Sequence, residues 1–347
     1  MTRLKNCFQW MEKEGFDALW LEDPTDLFYL TGLSFSAGRL VLENGDATLL
    51  VDGRYYEMAK QKAAHFQVVL YEKEGSFHPF KRAKKVAFDS AMLSFDRYQV
   101  LKRAFREQEW VPNSCPLKGI RVCKEEQELI ALKKAAQLTW QGYQHVLTLL
   151  KVGVSETELA WQFERFCREN GASSLAFEPI IAFGENSAYP HYRSQKGCTL
   201  KEGEIVLIDV GAVVDRYCGD MTRTAFFGKP NEKLLHLEKL VRKAHDLAFQ
   251  AARPGVKVGE LDQIVHSFFA KEGVESLFPH SLGHGIGLEV HEYPRLRFDG
   301  VDKEITLTPG MVFTIEPGLY MPGVGGIRYE NTVAVTEDGV ENFYAPI

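Results

Sequence analysis

Two aspartates, Asp209 and Asp220, stand eleven residues apart in a stretch that is otherwise strand-like and apolar. Residues 204–227 read EIVLIDVGAVVDRYCGDMTRTAFF. Strands of this kind keep acids out of their interior, because burying an unpaired carboxylate is costly. If the stretch is a hairpin turning at Val214-Asp215, positions 209 and 220 oppose each other, and directly opposed residues share one face of a sheet. Two like charges held that way repel unless a cation lies between them. The pair therefore directs attention to further ligand types downstream.

Three later stretches supply them. Residues 279–294, PHSLGHGIGLEVHEYP, hold His280, His284 and His291 among glycines at 283, 285 and 287. Those glycines let backbone approach a site closely. Residues 311–320, MVFTIEPGLY, place Glu316 at the end of an apolar run, and residues 326–335, GIRYENTVAV, place Glu330 within a β-type run. Four carboxylates and one imidazole compose a donor set for two cations. Hard oxygen ligands with one imidazole suit Mn²⁺, Co²⁺ or Zn²⁺ better than a thiolate site does. Two such ions about 3.5–4 Å apart activate a water and polarise a carbonyl. Taken singly, each residue also has an ordinary reading: Asp209 an Asx turn, His284 a loop residue, Glu330 a solvent-facing side chain on an edge strand. Spacing alone leaves both readings standing.

The elements that must position these residues can be read in outline. The first part of the chain alternates α and β. A helix over 4–14 ends at Gly15, a strand follows at 18–21, Asp23-Pro24 reads as a break, and strands at 39–42 and 47–51 meet at Asn44-Gly45, a strong hairpin signal. Further alternation runs to a helix near 94–106. Asp52, Arg54, His65 and His78 read as turn, surface or packing residues, and the α/β part shows no metal or nucleophile constellation. Residues 112–119, PNSCPLKG, are rich in turn formers and read as a linker. Helical periodicity resumes over 124–150 and again over 155–169, where Ser155 and Glu158 fit a capping box. Residues 177–183 read as a strand, 184–187 as a loop leading to Pro190-His191. Helices over 232–252 and 258–272 precede a glycine-rich, strand-like remainder. The second part thus reads as helices then strands, twice over, which hints at a duplicated half. The expected domains are an α/β unit over 1–118 and an α+β unit over 124–347.

The ordered set IDVGAVVDRYCGDMTRT, HSLGHGIGLEVHEYP, TIEPGLY and IRYEN closely resembles the metallopeptidases of the creatinase/methionine-aminopeptidase family, which have the "pita-bread" fold. The resemblance covers residues from about 124 to the end. The first domain, with its DGRYY stretch, resembles the creatinase-type domain of Xaa-Pro peptidases. By position, the resemblance implies that Asp209, Asp220, His284, Glu316 and Glu330 are the ligands of two divalent ions, Mn²⁺ foremost, with Asp220 and Glu330 bridging. It implies that His191 and His291 stabilise the tetrahedral intermediate or shuttle protons, that His280 borders a proline pocket, and that Arg328 orients the site. Glu316 is the carboxylate expected to act as general base, since a ligand carboxylate can also take a proton. Thr222 and Thr224 are expected to support the ligands rather than react. Arg295 matches an arginine that pairs with a dipeptide's free carboxylate in prolidases, a pairing that suits bidentate guanidinium chemistry.

The function so implied is hydrolysis of the bond before proline in a peptide with proline at its second position. An Xaa-Pro dipeptidase is favoured over an aminopeptidase P acting on longer peptides. A methionine aminopeptidase shares the five-ligand pattern but usually lacks the extra first domain, and a binding module on the same fold would not need every ligand. Composition fits this class. With a formal net charge of -6 and no long basic run, the chain is a poor nucleic-acid partner. No apolar run approaches the ~20 residues of a membrane span, and the first residues show no signal-peptide core. Cys7, Cys115, Cys123, Cys167, Cys198 and Cys218 form no CxxC pair, as expected of reduced thiols in a cytoplasmic protein. The family likeness also implies a homodimer.

Overall fold

A computed structural model describes residues 2–229 and 231–344. The chain divides into two units, Met1–Arg121 and Val122–Ile347. In the first, six strands form one sheet in the order Gln67–Leu70, Asp46–Val51, Gly38–Glu43, Ala18–Leu21, Lys85–Asp89, Glu109–Asn113. Asn44 and Gly45 both have positive φ, and Glu43 pairs with Asp46, so the expected hairpin closes with a two-residue turn. Asp23-Pro24, which reads as a break, is instead the start of a helix, Pro24–Thr31. The Asp23 carboxylate accepts from the amides of Thr25 and Asp26, both at 2.9 Å, and proline fits the first helical position because it has no N–H to satisfy. Residues 112–119 also differ from the expected linker. Pro112 and Asn113 end an edge strand, where the missing proline N–H costs no ladder bond, and Lys118–Arg121 is a short helix.

The second unit is built from two similar runs. Helices Glu126–Thr148 and Glu156–Glu169 precede one set of antiparallel strands, and helices Glu232–Ala251 and Val258–Lys271 precede another. The first helix pair approaches closely because Gly142 has no side chain: a Cβ there would run into Phe163 and Cys167. Phe163 is fully buried at that contact, and its truncation to alanine would cost about 3–5 kcal/mol. Ser155 caps the second helix by accepting from the Glu158 amide at 3.2 Å, but the reciprocal half of a capping box does not form. Ser155 stands opposite Thr199 in an isolated bridge whose bonds are made by its neighbours, the Glu156 amide donating to the Cys198 carbonyl and the Val154 carbonyl accepting from the Leu200 amide. A full capping box occurs at Glu125 and Glu128.

Strands Ile205–Val210, Met221–Phe226 and Ile180–Phe183 make one sheet, and Val312–Ile315 lies between Gly283–Gly285 and Asn331–Val335 in another. The register of the first differs by two residues from expectation. The chain reverses at Asp215 and Arg216, both at positive φ, so Asp209 lies opposite Thr222 rather than Asp220. A shift of two keeps the same face, because side chains alternate with period two. Asp220 is therefore the diagonal neighbour of Asp209 on that face.

Candidate metal centre

Each of the five acidic or imidazole side chains sits in a paired strand or one step past its end. Asp209 lies within Ile205–Val210, Asp220 just before Met221–Phe226, and His284 at the middle of Gly283–Gly285. Glu316 and Glu330 follow the last rung of their ladder, Ile315 opposite Asn331, on both strands. Beyond that rung the two backbones part. The Glu316 amide donates to the Leu282 carbonyl at 2.8 Å and the Glu330 amide to the Thr222 carbonyl at 3.2 Å. That second bond ties the two sheets together at the acids. Gly283 permits the approach of its strand, since a Cβ would collide with the Thr314 carbonyl.

One ligand atom each from Asp220, His284 and Glu330 lies within 4.8 Å of the others. The Glu316 Oε1 atom is 3.3 Å from His284 Nε2, and the Asp220 Oδ2 atom is 3.5 Å from it. His284 Nδ1 is 3.1 Å from the Gly285 carbonyl, which can only accept. The proton therefore sits on Nδ1, and Nε2 turns a lone pair toward two carboxylates. Burial and the nearby His291 hold the His284 pKa down at about 3, so the ring is neutral. Lone pairs facing lone pairs are stable only with positive charge between them, either a cation or the protons that a cation would displace. Asp209 supplies a second sign of the same need. Its Oδ2 accepts from Arg328, while its buried Oδ1 has no hydrogen-bond partner among the described residues.

The charges agree with this geometry. Burial, then the Glu330 charge, raises the pKa of both Asp220 and Glu316 well above the usual carboxylate range. Burial, followed by the Asp209 charge, pushes Glu330 up to about 7. Among the described residues, Arg328 is the one guanidinium that hydrogen-bonds a carboxylate of the cluster. Hard oxygens, one neutral imidazole and an excess of negative charge fit divalent cations.

Around the cluster, several side chains fix its members. Thr222 Oγ1 donates to Glu330 Oε2 at 2.6 Å and accepts from Arg328 Nε at 2.9 Å. Arg328 also donates to the Tyr320 hydroxyl at 2.7 Å, and that hydroxyl is 2.9 Å from His280 Nε2. His280 Nδ1 faces the Ser281 carbonyl at 2.8 Å, so the chain of donors runs from Arg328 through Tyr320 to His280. Burial and Arg328 hold the His280 pKa down at about 4. Behind Glu330, Arg223 is 1% exposed; it donates to the Glu330 carbonyl and to Asn331 Oδ1, the latter at 2.6 Å. The aromatic ring of Tyr329 covers its guanidinium at 4.4 Å.

The sequence-expected residues gather in one place. Asp209, Asp220, His284, Glu316 and Glu330, together with His191, His280, His291, Arg295 and Arg328, all line a single cavity of about 620 Å³. His291 stands edge-on to His284 with ring centroids 4.4 Å apart, and Arg295 is exposed, its Nε 3.4 Å from Ser281 Oγ. Thr222 holds Glu330 as anticipated, whereas Thr224 bonds to the Arg328 backbone. Tyr320, Arg223, Tyr192 and Arg193 are absent from the sequence reading. Arg223 had a signal: an arginine between two threonines of an apolar strand faces the opposite side from them and must find partners there.

Residues 131–337 match metallopeptidase family M24, and residues 3–123 match the creatinase/prolidase N-terminal domain. The chain belongs to metallopeptidase family M24. It is 34% identical over 342 residues to an Xaa-Pro dipeptidase of Pyrococcus furiosus, covering 98% of this chain and 96% of the relative. A prolidase from Pyrococcus horikoshii OT3 superposes with a TM-score of 0.94 at 32% identity, covering 100% of this chain and 99% of that one. An Xaa-Pro dipeptidase from Bacillus anthracis gives a TM-score of 0.93 at 31% identity, covering 100% of this chain and 98% of that one. The α/β unit with a pita-bread unit expected from the sequence is thus the architecture of this M24 chain. No helix among the described residues is long and apolar enough to cross a membrane.

Proposed function

We propose that this M24 chain is an Xaa-Pro dipeptidase that hydrolyses the bond between an N-terminal residue and proline. The observation that carries the reading is the meeting, in one cavity, of a neutral His284 lone pair with carboxylates that require cations, beside an exposed Arg295. Asp209, Asp220, His284, Glu316 and Glu330 are the proposed ligands of two divalent ions, and Mn²⁺ suits their hard donors best, with Co²⁺ or Zn²⁺ as alternatives. Such ions, when bound, supply the positive charge that makes a water acidic and polarises the scissile carbonyl.

The chain's own groups do the rest. Glu316 takes the proton of the attacking water, since a ligand carboxylate can also take a proton. His191 and His291 donate hydrogen bonds to the carbonyl oxygen as its charge develops, where preorganised donors act most strongly. His280 borders the proline ring, and its neutral state avoids placing charge against an apolar ring. Arg295 pairs with the carboxylate of the dipeptide. Arg328 holds Asp209 and, through Thr222, Glu330 in their orientations. Six free thiols fit a reducing cytoplasm, and the family likeness supports a homodimer.

The test is a hydrolysis panel of Xaa-Pro, Xaa-Pro-Yaa and Met-Ala peptides with Mn²⁺, Co²⁺ or Zn²⁺ and with a chelator. The dipeptidase cleaves Xaa-Pro and is silenced by chelation. Preferred cleavage of Xaa-Pro-Yaa makes it an aminopeptidase P, and cleavage of Met-Ala alone removes the proline reading.

A further inference from the structure

Glu156 is a fully buried carboxylate at the start of helix Glu156–Glu169, outside the acidic cluster and unused by the chemistry above. Its two oxygens are shared between the two ends of one loop. Oε1 accepts from the Phe183 amide and from Asn186 Nδ2, both at 2.9 Å. Oε2 accepts from the Tyr192 hydroxyl at 2.8 Å and from the Gln195 amide at 3.0 Å. Between these anchors the chain makes a turn over residues 189–192, closed by the Tyr192 amide on the Tyr189 carbonyl at 3.1 Å. Pro190 and His191 are its central residues, and proline is favoured at the first of those positions. His191 itself is exposed, and no group among the described residues hydrogen-bonds its ring. Its position therefore comes from the backbone of a turn whose last residue, Tyr192, is tied to Glu156.

We propose that Glu156 is the positioning residue for His191: one buried carboxylate that sets both ends of the 183–195 loop and so places the imidazole over the metal centre. The proposal rests on the peptidase reading for the role of His191, but not for the anchoring. The carboxylate is the required group because each of its oxygens meets a backbone amide, Phe183 at one and Gln195 at the other, and a backbone N–H can only donate. Glutamine in its place would turn one oxygen into an amide N–H₂, which would face either the Phe183 or the Gln195 backbone N–H, donor against donor, and break that bond. One end of the loop would then lose its buried anchor and keep only weaker ties, such as Ser194 Oγ accepting from the Ile181 amide at 2.8 Å. A catalytic group misplaced by about 1 Å loses on the order of 10²-fold in rate.

The experiment uses the full-length, metal-loaded chain and five variants: Glu156→Gln, Asn186→Ala, His191→Ala, Glu156→Gln/His191→Ala and Asn186→Ala/His191→Ala. Asn186 is chosen because it removes one donor without lining the cavity. Glu156→Gln should lower kcat on an Xaa-Pro dipeptide about tenfold to a hundredfold, with metal content unchanged. Asn186→Ala should lower it less. In the His191→Ala background the Glu156→Gln loss should disappear, since both changes remove the same contribution. Amide hydrogen exchange should speed up in peptides spanning 183–195 and stay unchanged in those spanning 205–226. An equal loss in both backgrounds, or unchanged exchange over 183–195, overturns the proposal. If Glu156→Gln does not fold, Asn186→Ala carries the same two readouts in both backgrounds. If the wild-type chain cleaves no Xaa-Pro peptide, the peptidase reading fails and the exchange comparison alone decides whether Glu156 sets the loop.

Discussion

Asp209 faces Thr222 across the strand pair, and Thr222 in turn donates to Glu330 Oε2 at 2.6 Å. Through Arg328, which donates both to this hydroxyl and to Asp209, the threonine connects two acids on two different sheets. It also accepts from Arg328 Nε at 2.9 Å, so its donor and acceptor capacities are both used. Both the hydroxyl and Glu330 are buried, which makes each lost bond expensive.

The first prediction follows from that link. Thr222→Val keeps the shape but leaves Glu330 without its donor and Arg328 Nε without its acceptor. Metal affinity should fall about 10–100-fold, the usual consequence of losing a group that orients a ligand. Titration of the metal-free variant with Mn²⁺, followed by calorimetry, checks this. Wild-type affinity would show that Thr222 does not set Glu330.

Arg328 carries the second. It serves Asp209, Thr222, Tyr320 and the Pro190 carbonyl at once, and the Arg328 and Asp209 side chains are 4% and 12% exposed. Arg328→Met leaves Asp209 a buried charge without its cation, which should cost about 3–5 kcal/mol in the chelated protein. Arg328→Lys should recover little, because one ammonium cannot reach partners arranged around a planar fork. Urea unfolding in the presence of chelator measures both. A loss below about 1 kcal/mol in the Met variant would place it among ordinary substitutions and remove the argument.

The third concerns pH and metal together. Burial and mutual charge raise Asp220 and Glu316, and burial with the Asp209 charge brings Glu330 from 4.5 to about 7. Without metal, the folded chain therefore holds these protons more tightly than the unfolded chain does. The Glu330 contribution to stability is full below 4.5 and is lost as pH rises through about 7, and those of Asp220 and Glu316 have the same sign. Metal binding must displace the protons, so it tightens over the same interval. Scanning Tm from about pH 5 to about pH 8 should show a fall in chelator and a rise relative to it with Mn²⁺. Parallel curves with and without metal would contradict a shared site.

Much of this centre is legible in the sequence because its ligands break a rule that strands otherwise obey. Asp209, Asp220, Glu316 and Glu330 stand out as acids in or beside apolar runs, and a period of two tells which share a face even when the turn is misplaced by a residue. The Asp23-Pro24 break shows the opposite case. The same two residues end one element or cap the next, and only the donors that meet Asp23 decide between them. Glu156 hides for a related reason. At a helix start an acid is expected on grounds of capping and dipole alone. Its real partners lie in a loop about thirty residues away, and no local spacing reports them. Tyr320 and Arg223 likewise gain their roles from contacts between strands far apart in sequence.

Arg295 carries the last prediction, and it separates dipeptides from longer peptides. The side chain is exposed at the cavity, and its one hydrogen bond among the described residues is an Nε contact of 3.4 Å to Ser281 Oγ, so its guanidinium edge is available to a substrate. A dipeptide ends in a carboxylate next to the proline ring, whereas an Xaa-Pro-Yaa peptide has a neutral amide at the same place. A charge-assisted hydrogen bond is worth about 1.5–3 kcal/mol, or roughly tenfold to a hundredfold in affinity. Arg295→Ala should therefore raise KM for Xaa-Pro by that factor while leaving kcat near wild type, because the bond is made equally in the ground and transition states. On Xaa-Pro-Yaa the same variant should match the wild type or exceed it, since the guanidinium no longer needs to be desolvated against an uncharged group. Steady-state kinetics on a matched pair such as Ala-Pro and Ala-Pro-Ala measures both effects. Equal losses on the two peptides would assign Arg295 to general pocket structure, and no loss on either would remove it from the substrate site.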